Sequence, residues 1–166
     1  MITARRICQL KFAKTAFNGE EAALAPGRWN VKGRKSSITS ESMSLAAMEL
    51  IAHAAAGLLR PHLAIPCHFD ESLAETLNAA TLPREWNLLF EPAWTPLQLM
   101  GDAWVKSVRS AVLKVPSAVV PAESNYLLNP AHPEFVRIAI GKPQRYRPDP
   151  RILSRTGLAP SARKMP

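Results

Sequence analysis

Apolar and polar residues along this chain form two long stretches of helical spacing, set among several short apolar runs. The first stretch follows a cluster of serines that can cap a helix, and apolar residues recur on one face of it from Leu45 to Leu59. The second opens with a threonine, a proline and a glutamine, which suit the N-cap, the first helical position and N3. The pattern predicts helices over residues 42–59 and 95–107.

Short runs of β-branched and apolar residues outside these stretches predict strands. The runs lie at residues 3–10, 36–39, 111–120, 137–140 and 144–147, with a further strand beginning at 63–66. Glycines indicate a loop over 18–34, Asn-Pro and His-Pro pairs indicate another over 125–133, and residues 82–94 are predicted to be loop and strand. Two longer helices among short strands favour an α+β fold, and 166 residues suffice for one domain with its own core.

The charge is unevenly distributed. The chain carries a net charge of +8, with an excess of +6 in residues 1–35, +6 in residues 142–166 and −4 between them. A basic protein can attract nucleic acid, phosphorylated small molecules or an acidic partner. No basic stripe is interleaved with aromatic residues, which disfavours direct nucleic-acid recognition. Solvated termini are the simpler interpretation.

Composition also bears on the cellular compartment and on metal binding. No apolar run approaches the roughly 20 residues of a membrane span, and the N-terminus lacks the apolar stretch of a signal peptide. Cys8 and Cys67 are the two cysteines, which suggests a reducing compartment without a disulfide framework. We therefore expect a cytoplasmic protein. Cys67-His68 is at most half of a metal site, so a buried thiol is favoured and no metal is expected.

Several short motifs follow one another in the order found in the RES-domain family, which the chain resembles over about residues 5–152. They include AFNGE at 16–20, GRWNVKG at 27–33, TSES at 39–42, LAAME at 45–49, GDAW at 101–104, VPSAVVP at 115–121, ESNYLLNP at 123–130 and DPR at 149–151. The arginine, glutamate and serine that give the family its name match Arg28, Glu49 and Ser117.

The resemblance implies a domain over residues 1–152 with a split β core like that of ADP-ribosyltransferases, followed by a basic tail at 153–166 that we expect to be flexible. It implies the toxin of a type II toxin–antitoxin system. Such an enzyme depletes cellular NAD by cleaving the nicotinamide–ribose bond, as a glycohydrolase or a phosphorylase. NAD is then a substrate, and no cofactor is expected. The implied partner is a helix-turn-helix antitoxin, through which the protein would reach DNA indirectly; no membrane contact is expected, and a homodimer is left open.

The chemistry of the three matching residues suits this reaction. Arg28 can offer a bidentate fork to the pyrophosphate, although an ion pair with Glu20 or Glu21 is equally compatible with the sequence. The sequence around Glu49 alone favours solvent exposure, whereas the resemblance assigns it the ribose hydroxyl and the developing cation. Ser117 can orient nicotinamide or ribose, or bond to a local carbonyl. No Ser/His/Asp system is present, so Ser117 is not expected to be a nucleophile.

The resemblance extends the expected NAD-binding set beyond these residues. The full set is Arg28, Trp29, Asn30, Ile38, Ser40, Ser117 and Tyr126. Trp29 is equally suited to the core. His53 follows Glu49 by about one turn, and a structural role is the favoured interpretation for it.

Ile38 departs from the pattern. Most RES sequences have a tyrosine at this position, and isoleucine lacks both the ring face and the hydroxyl. Two hypotheses follow. One is an active NAD-degrading enzyme; the other is a catalytically weak or silent RES-like protein that acts as a binding partner in an antitoxin or repressor complex.

Overall fold

The computed structural model describes residues 1–53, 60–89 and 93–155. These residues contain eight strands: β1 (Ile2–Gln9), β2 (Ser37–Ser40), β3 (His62–Phe69), β4 (Ala74–Thr76), β5 (Val112–Pro116), β6 (Ser124–Leu128), β7 (Ala139–Ile140) and β8 (Gln144–Tyr146). The helices are α1 (Glu20–Leu24), α2 (Met43–His53), α3 (Thr95–Ser107) and α4 (Pro150–Arg155), with short 3-10 turns between elements.

The strands form one sheet in the order β4-β5-β6-β2-β1-β3-β7, and β8 also pairs with β3. β1 and β3 pair along their whole length, from Ile2 opposite Phe69 to Gln9 opposite His62. β1 and β2, in contrast, are joined by a single pair, Arg5 opposite Ser40. The sheet therefore consists of two halves that meet at one point, and a cleft opens beside that point.

The core lies on both faces of the sheet because successive strand residues point to opposite faces. Val112 and Leu128 belong to a cluster with Phe69, whereas Leu113 and Leu127 belong to a second cluster that helix α3 covers. Helix α3 also approaches the loop before β2 very closely, since a Cβ at Gly101 would lie 1.9 Å from the Trp29 carbonyl oxygen. This contact positions the loop that carries Arg28.

The predicted α+β class is confirmed, and helix α3 has the predicted bounds. Its N-cap is Trp94 instead of Thr95, however, and the Gln98 side chain donates to the Gly27 carbonyl at 2.9 Å. Helix α2 starts as predicted, with the amide of Leu45 donating to Ser42 Oγ at 3.0 Å. The predicted continuation over 54–59 lies outside the described residues.

Several boundaries were wrong. Residues 124–128 form strand β6, although the prolines that follow had indicated a loop from 125 onward. Helix α1 interrupts the loop predicted over 18–34, and the described part of 82–94 contains one 3-10 turn, Trp86–Leu88, and no strand. Strand β5 ends at Pro116, well before residue 120. Helix α4 crosses the boundary proposed at residue 152, and residues 156–166 lie outside the described part.

Two further expectations concern membranes and metals. Within the described residues, no helix has the length and apolar character needed to cross a membrane. The same residues contain no group of three or more His, Cys, Asp or Glu side chains that could hold a metal ion. Cys67 is fully buried in β3, and burial raises the pKa of its thiol to about 11, with Thr39, the Ala4 backbone and Arg6 acting in the opposite direction.

Candidate active site

The cleft beside the Arg5–Ser40 pair is a cavity of about 320 Å³. Its walls come from β1, β2 and β6, from the loop at 25–30 and from one face of α2. It receives the side chains of Arg28, Ile38, Ser40, Glu49 and Asn125, among others. Six of the predicted site residues thus line one cavity from three separate segments of the chain: Arg28, Trp29, Asn30, Ile38, Ser40 and Glu49.

Glu49 lies at the centre of a hydrogen-bond network. Its Oε1 accepts from Ser117 Oγ at 2.8 Å and from Asn125 Nδ2 at 2.6 Å. Asn125 Oδ1 in turn accepts from Ser40 Oγ at 2.7 Å. Because both donors act on Oε1, this oxygen is fixed, while Oε2 lies 3.5 Å from His53 Nδ1. The carboxylate is therefore oriented before any ligand arrives.

The burial of Glu49 follows from its place on helix α2. Leu45 and Ala46 are the buried residues at the start of the helix, and Glu49 lies four and three positions after them. Residues at these spacings share one helix face, so the glutamate side chain is only 17% exposed. The sequence alone favoured solvent exposure for Glu49, and that interpretation was wrong.

Ser117 is fully buried just after β5. Its hydroxyl oxygen accepts from the backbone amides of Val119 at 3.1 Å and Val120 at 3.0 Å, and its proton is donated to Glu49. The alternative of a bond to a local carbonyl is wrong, since its local partners are amide groups. With these bonds in place, Ser117 positions Glu49 and has no proton left to offer a ligand.

Arg28 faces the same cavity from the loop before β2. Its Nη1 donates to the Trp86 carbonyl at 2.8 Å, and the guanidinium carbon lies 5.4 Å from the Trp94 ring centroid. Burial lowers the pKa of Arg28, and the charge of Glu49 opposes that lowering. The alternative prediction, an ion pair between Arg28 and Glu21, was wrong. Glu21 pairs with Arg6 at 2.7 Å, and no described carboxylate lies within ion-pair distance of Arg28.

Trp29 and Asn30 border the cavity, but structural contacts account for their side chains. Trp29 is buried in the second core cluster, with its ring 5.8 Å from that of Trp86. Asn30 Nδ2 donates to the carbonyls of Ala22 at 2.7 Å and Ala25 at 3.2 Å, which closes the loop.

Tyr126 does not lie in the cleft. Because side chains alternate along β6, Tyr126 points away from Asn125 and packs edge-on against Phe69 at 5.4 Å. Its predicted place in the binding set is therefore not kept. Asn125, which does reach the cavity, was missed because residues 125–133 had been interpreted as a loop; recognising the alternating strand pattern would have found it.

Ile38 and His53 complete the wall. Ile38 lies opposite Leu127 in the β2–β6 pair, and 40% of it is exposed. The backbone carbonyl of Ile38 accepts from Arg6 Nη1 at 2.8 Å, which links β1 and β2 beyond their single pair. His53 Nδ1 lies 2.9 Å from the Glu49 carbonyl oxygen, in agreement with the structural role predicted for this histidine.

Comparison with known proteins gives consistent matches. The RES domain model matches residues 3–149. A protein of Sphingobium sp. (strain YBL2) named Prs ADP-ribosylating toxin is 35% identical over 144 residues, which is 82% of this chain and 86% of that protein. A protein of Photorhabdus laumondii subsp. laumondii named Toxin Res is 33% identical over 131 residues, covering 78% of this chain and 83% of its own length.

The fold is similar to that of a chain in the crystal structure of the M. tuberculosis MbcT–MbcA toxin–antitoxin complex. The TM-score is 0.71 at 16% identity, over 88% of this chain and 84% of that one. At this identity the likeness concerns the fold. The family model spans nearly the whole chain, and two relatives named as toxins exceed 30% identity, so the chain belongs to the RES-domain family.

Proposed function

We propose that this chain is a toxin enzyme that cleaves the nicotinamide–ribose bond of NAD. The observation that carries the proposal is the carboxylate of Glu49, which two donors fix inside a cavity that Arg28 also reaches. Breaking this bond expels neutral nicotinamide and leaves an oxocarbenium-like ribose. A fixed negative charge beside the ribose stabilises that cation, because it needs no reorganisation as the charge develops.

Charged residues of the cleft have separate roles in the proposed reaction. Arg28 uses one of its five N–H donors on Trp86, which leaves the rest of the fork for phosphate oxygens. Arg5, from β1, offers a second cation in the lining of the cavity. In this proposal Glu49 Oε2 binds a ribose hydroxyl and stabilises the adjacent cation, while Ser117 and Asn125 hold Oε1. The nicotinamide leaves with the electron pair of the broken bond, so departure requires no proton.

The acceptor of the ADP-ribose group is a separate matter from cleavage. One relative is named as an ADP-ribosylating toxin. We therefore include a macromolecule among the candidate acceptors, beside water and phosphate. All three acceptors require the same release of nicotinamide. Chromatography of reactions with and without phosphate, together with radiolabel from the adenine moiety in protein fractions, separates the three.

Glu49→Gln is the direct test of the reaction. The amide keeps the shape but removes the negative charge, so we expect nicotinamide release to fall by at least about a hundredfold while the thermal unfolding midpoint stays close to that of the unchanged chain. Glu123→Gln is a matched control, since Glu123 bonds to Ser42 outside the cleft wall. Equal rates for Glu49→Gln and the unchanged chain would exclude this role.

A catalytically weak or silent chain is the second candidate, and the exposed aliphatic side chain of Ile38 on the cleft wall favours it. Such a protein would act as the binding partner of an antitoxin. Purified full-length chain that releases no nicotinamide from NAD, yet binds its partner, would establish this alternative.

We further propose a helix-turn-helix antitoxin as the partner, bound so that the cleft is covered or cannot close. The similarity of the fold to a chain of a toxin–antitoxin complex supports an antitoxin partner. Co-expression should rescue growth and suppress NAD loss in the cytoplasm, and full turnover in the purified complex would contradict the covered cleft.

A further inference from the structure

A second cavity lies where β1 ends and β3 begins. It has a volume of about 480 Å³ and shares no lining residue with the cleft. Its walls come from the start of β3, from β8 and from the segments that flank them. The apolar part of the lining comprises Leu10, Pro61, Leu63, Pro148 and Leu153, beside the ring of Tyr146.

His62 is the buried polar residue of this cavity. It is 2% exposed, and neither ring nitrogen makes a hydrogen bond of ordinary geometry, although the Arg60 backbone lies close enough to raise the pKa of the ring. Gln9 lies opposite His62 in the β1–β3 ladder, and its buried Oε1 is also without a partner. Tyr146 lies opposite His62 on the other side, in β8. All three side chains therefore leave the sheet on one face.

An unsatisfied buried polar group is unfavourable, and such groups are rare in folded proteins. Burial lowers the pKa of His62, with the backbone of Arg60 and the charge of Glu21 acting in the opposite direction. A neutral imidazole has one donor and one acceptor. A group that both donates and accepts hydrogen bonds therefore matches the neutral ring.

The rim of the cavity is cationic. Arg60, Arg145 and Arg147 line it with exposed side chains, and no acidic residue is among the lining. Within the described part of the chain, none of the three arginines has an ion-pair partner. Guanidinium groups bind phosphate oxygens with two parallel hydrogen bonds, so this rim suits a phosphate group.

We propose that the second cavity binds a nucleoside monophosphate, with its phosphate at the three arginines and its base or ribose against Tyr146 and His62. A bare phosphate would leave most of a cavity of about 480 Å³ empty. A nucleoside supplies both a flat apolar body and the donor and acceptor that His62 lacks. This site is independent of the NAD chemistry proposed for the cleft.

Tyrosine-labelled NMR provides a sharp test because the chain has two tyrosines, Tyr126 and Tyr146. Full-length protein carrying Glu49→Gln is titrated with AMP, and in parallel with adenosine and with inorganic phosphate. We expect the Tyr146 resonance, assigned with Tyr146→Phe, to move saturably with AMP while that of Tyr126 stays in place. AMP should bind more tightly than either fragment.

Three variants locate the binding. Replacing Arg145 and Arg147 by alanine together, or replacing His62 by leucine, should weaken AMP binding by about tenfold or more. Arg28→Ala, in the cleft, is the matched control and should leave the affinity unchanged. A Tyr146 resonance that does not respond to AMP would overturn the proposal. So would AMP binding that depends on Arg28 alone, or displacement of AMP by a short polyglutamate peptide of higher affinity, which would indicate an acidic protein partner.

Discussion

The two cavities of this protein bury polar side chains in opposite ways. In the cleft, the groups around Glu49 satisfy one another, because Ser40 donates to Asn125, and Asn125 and Ser117 donate to Glu49; Arg6 Nε, elsewhere in the lining, is the exception. At the second cavity, the nitrogens of His62 and the side-chain oxygen of Gln9, which lies opposite His62, make no hydrogen bond of ordinary geometry. Strand β1 takes part in both sites. Its residues Arg5, Arg6 and Ile7 line the cleft, and its last residue, Gln9, lies opposite His62 of the second cavity.

The difference indicates that the two sites have different functions, catalysis in the cleft and ligand binding in the second cavity. A network of satisfied groups fixes a charge in position before a reaction and therefore favours a transition state. Unsatisfied groups favour ligand binding, because a ligand can form hydrogen bonds with them that the folded chain does not provide. On this argument, a mutation in the network should change catalysis, whereas a mutation at His62 should change stability and ligand binding.

Among the variants that keep Glu49, Asn125→Ala should have the largest effect. It removes the donor that lies 2.6 Å from Glu49 and leaves Ser117 alone to hold Oε1. We expect kcat for nicotinamide release to fall by about 10- to 100-fold, with a smaller change in KM. The matched control is Asn129→Ala: Asn129 is a buried amide whose Nδ2 donates to the Val105 carbonyl outside the cleft. Comparable losses of kcat in both variants would show that the loss reflects folding and not the orientation of Glu49.

Ile38→Tyr should increase turnover. The exposed position on the cleft wall leaves room for a ring, and isoleucine supplies neither a hydroxyl nor a stacking surface. A gain of about tenfold corresponds to roughly 1.4 kcal/mol of transition-state stabilisation. Ile38→Phe separates the ring from the hydroxyl. If neither variant changes turnover or toxicity in folded protein, the departure at position 38 is neutral.

These sites also show how far a single sequence leads. The α+β class and the bounds of α3 followed from periodicity, and the family resemblance directed attention to Arg28 and Glu49 before any geometry was known. Asn125 was missed because the prolines after it favoured a loop, and only the ladder with β2 reveals that it faces Glu49. The second cavity was not foreseen, because Gln9 and His62 are 53 positions apart and only strand pairing brings them together.

His62→Leu should stabilise the ligand-free protein. Leucine has a similar volume and removes two buried nitrogens that make no hydrogen bond of ordinary geometry. The gain in the free energy of unfolding should be about 1 kcal/mol by urea denaturation at pH 7.5. His132→Leu is the control, because His132 Nδ1 accepts from the Glu134 amide at 3.1 Å and its loss should destabilise the fold. Destabilisation by both variants would mean that His62 is satisfied in solution.

The same residue predicts a smaller dependence on pH. In the folded protein, burial holds the pKa of His62 below its ordinary value, with Arg60 and Glu21 opposing. In the unfolded chain, His62 titrates near pH 6.5. As the pH falls through about 6.5, the unfolded state therefore takes up a proton that the folded state does not, and stability is lost. The advantage of His62→Leu over the unchanged chain should consequently be larger at pH 5.5 than at pH 7.5. The other three histidines are present in both proteins, so their contributions cancel in the difference. An advantage that is equal at the two pH values would show that His62 keeps its ordinary pKa in the fold, as expected if water or a solute reaches its nitrogens.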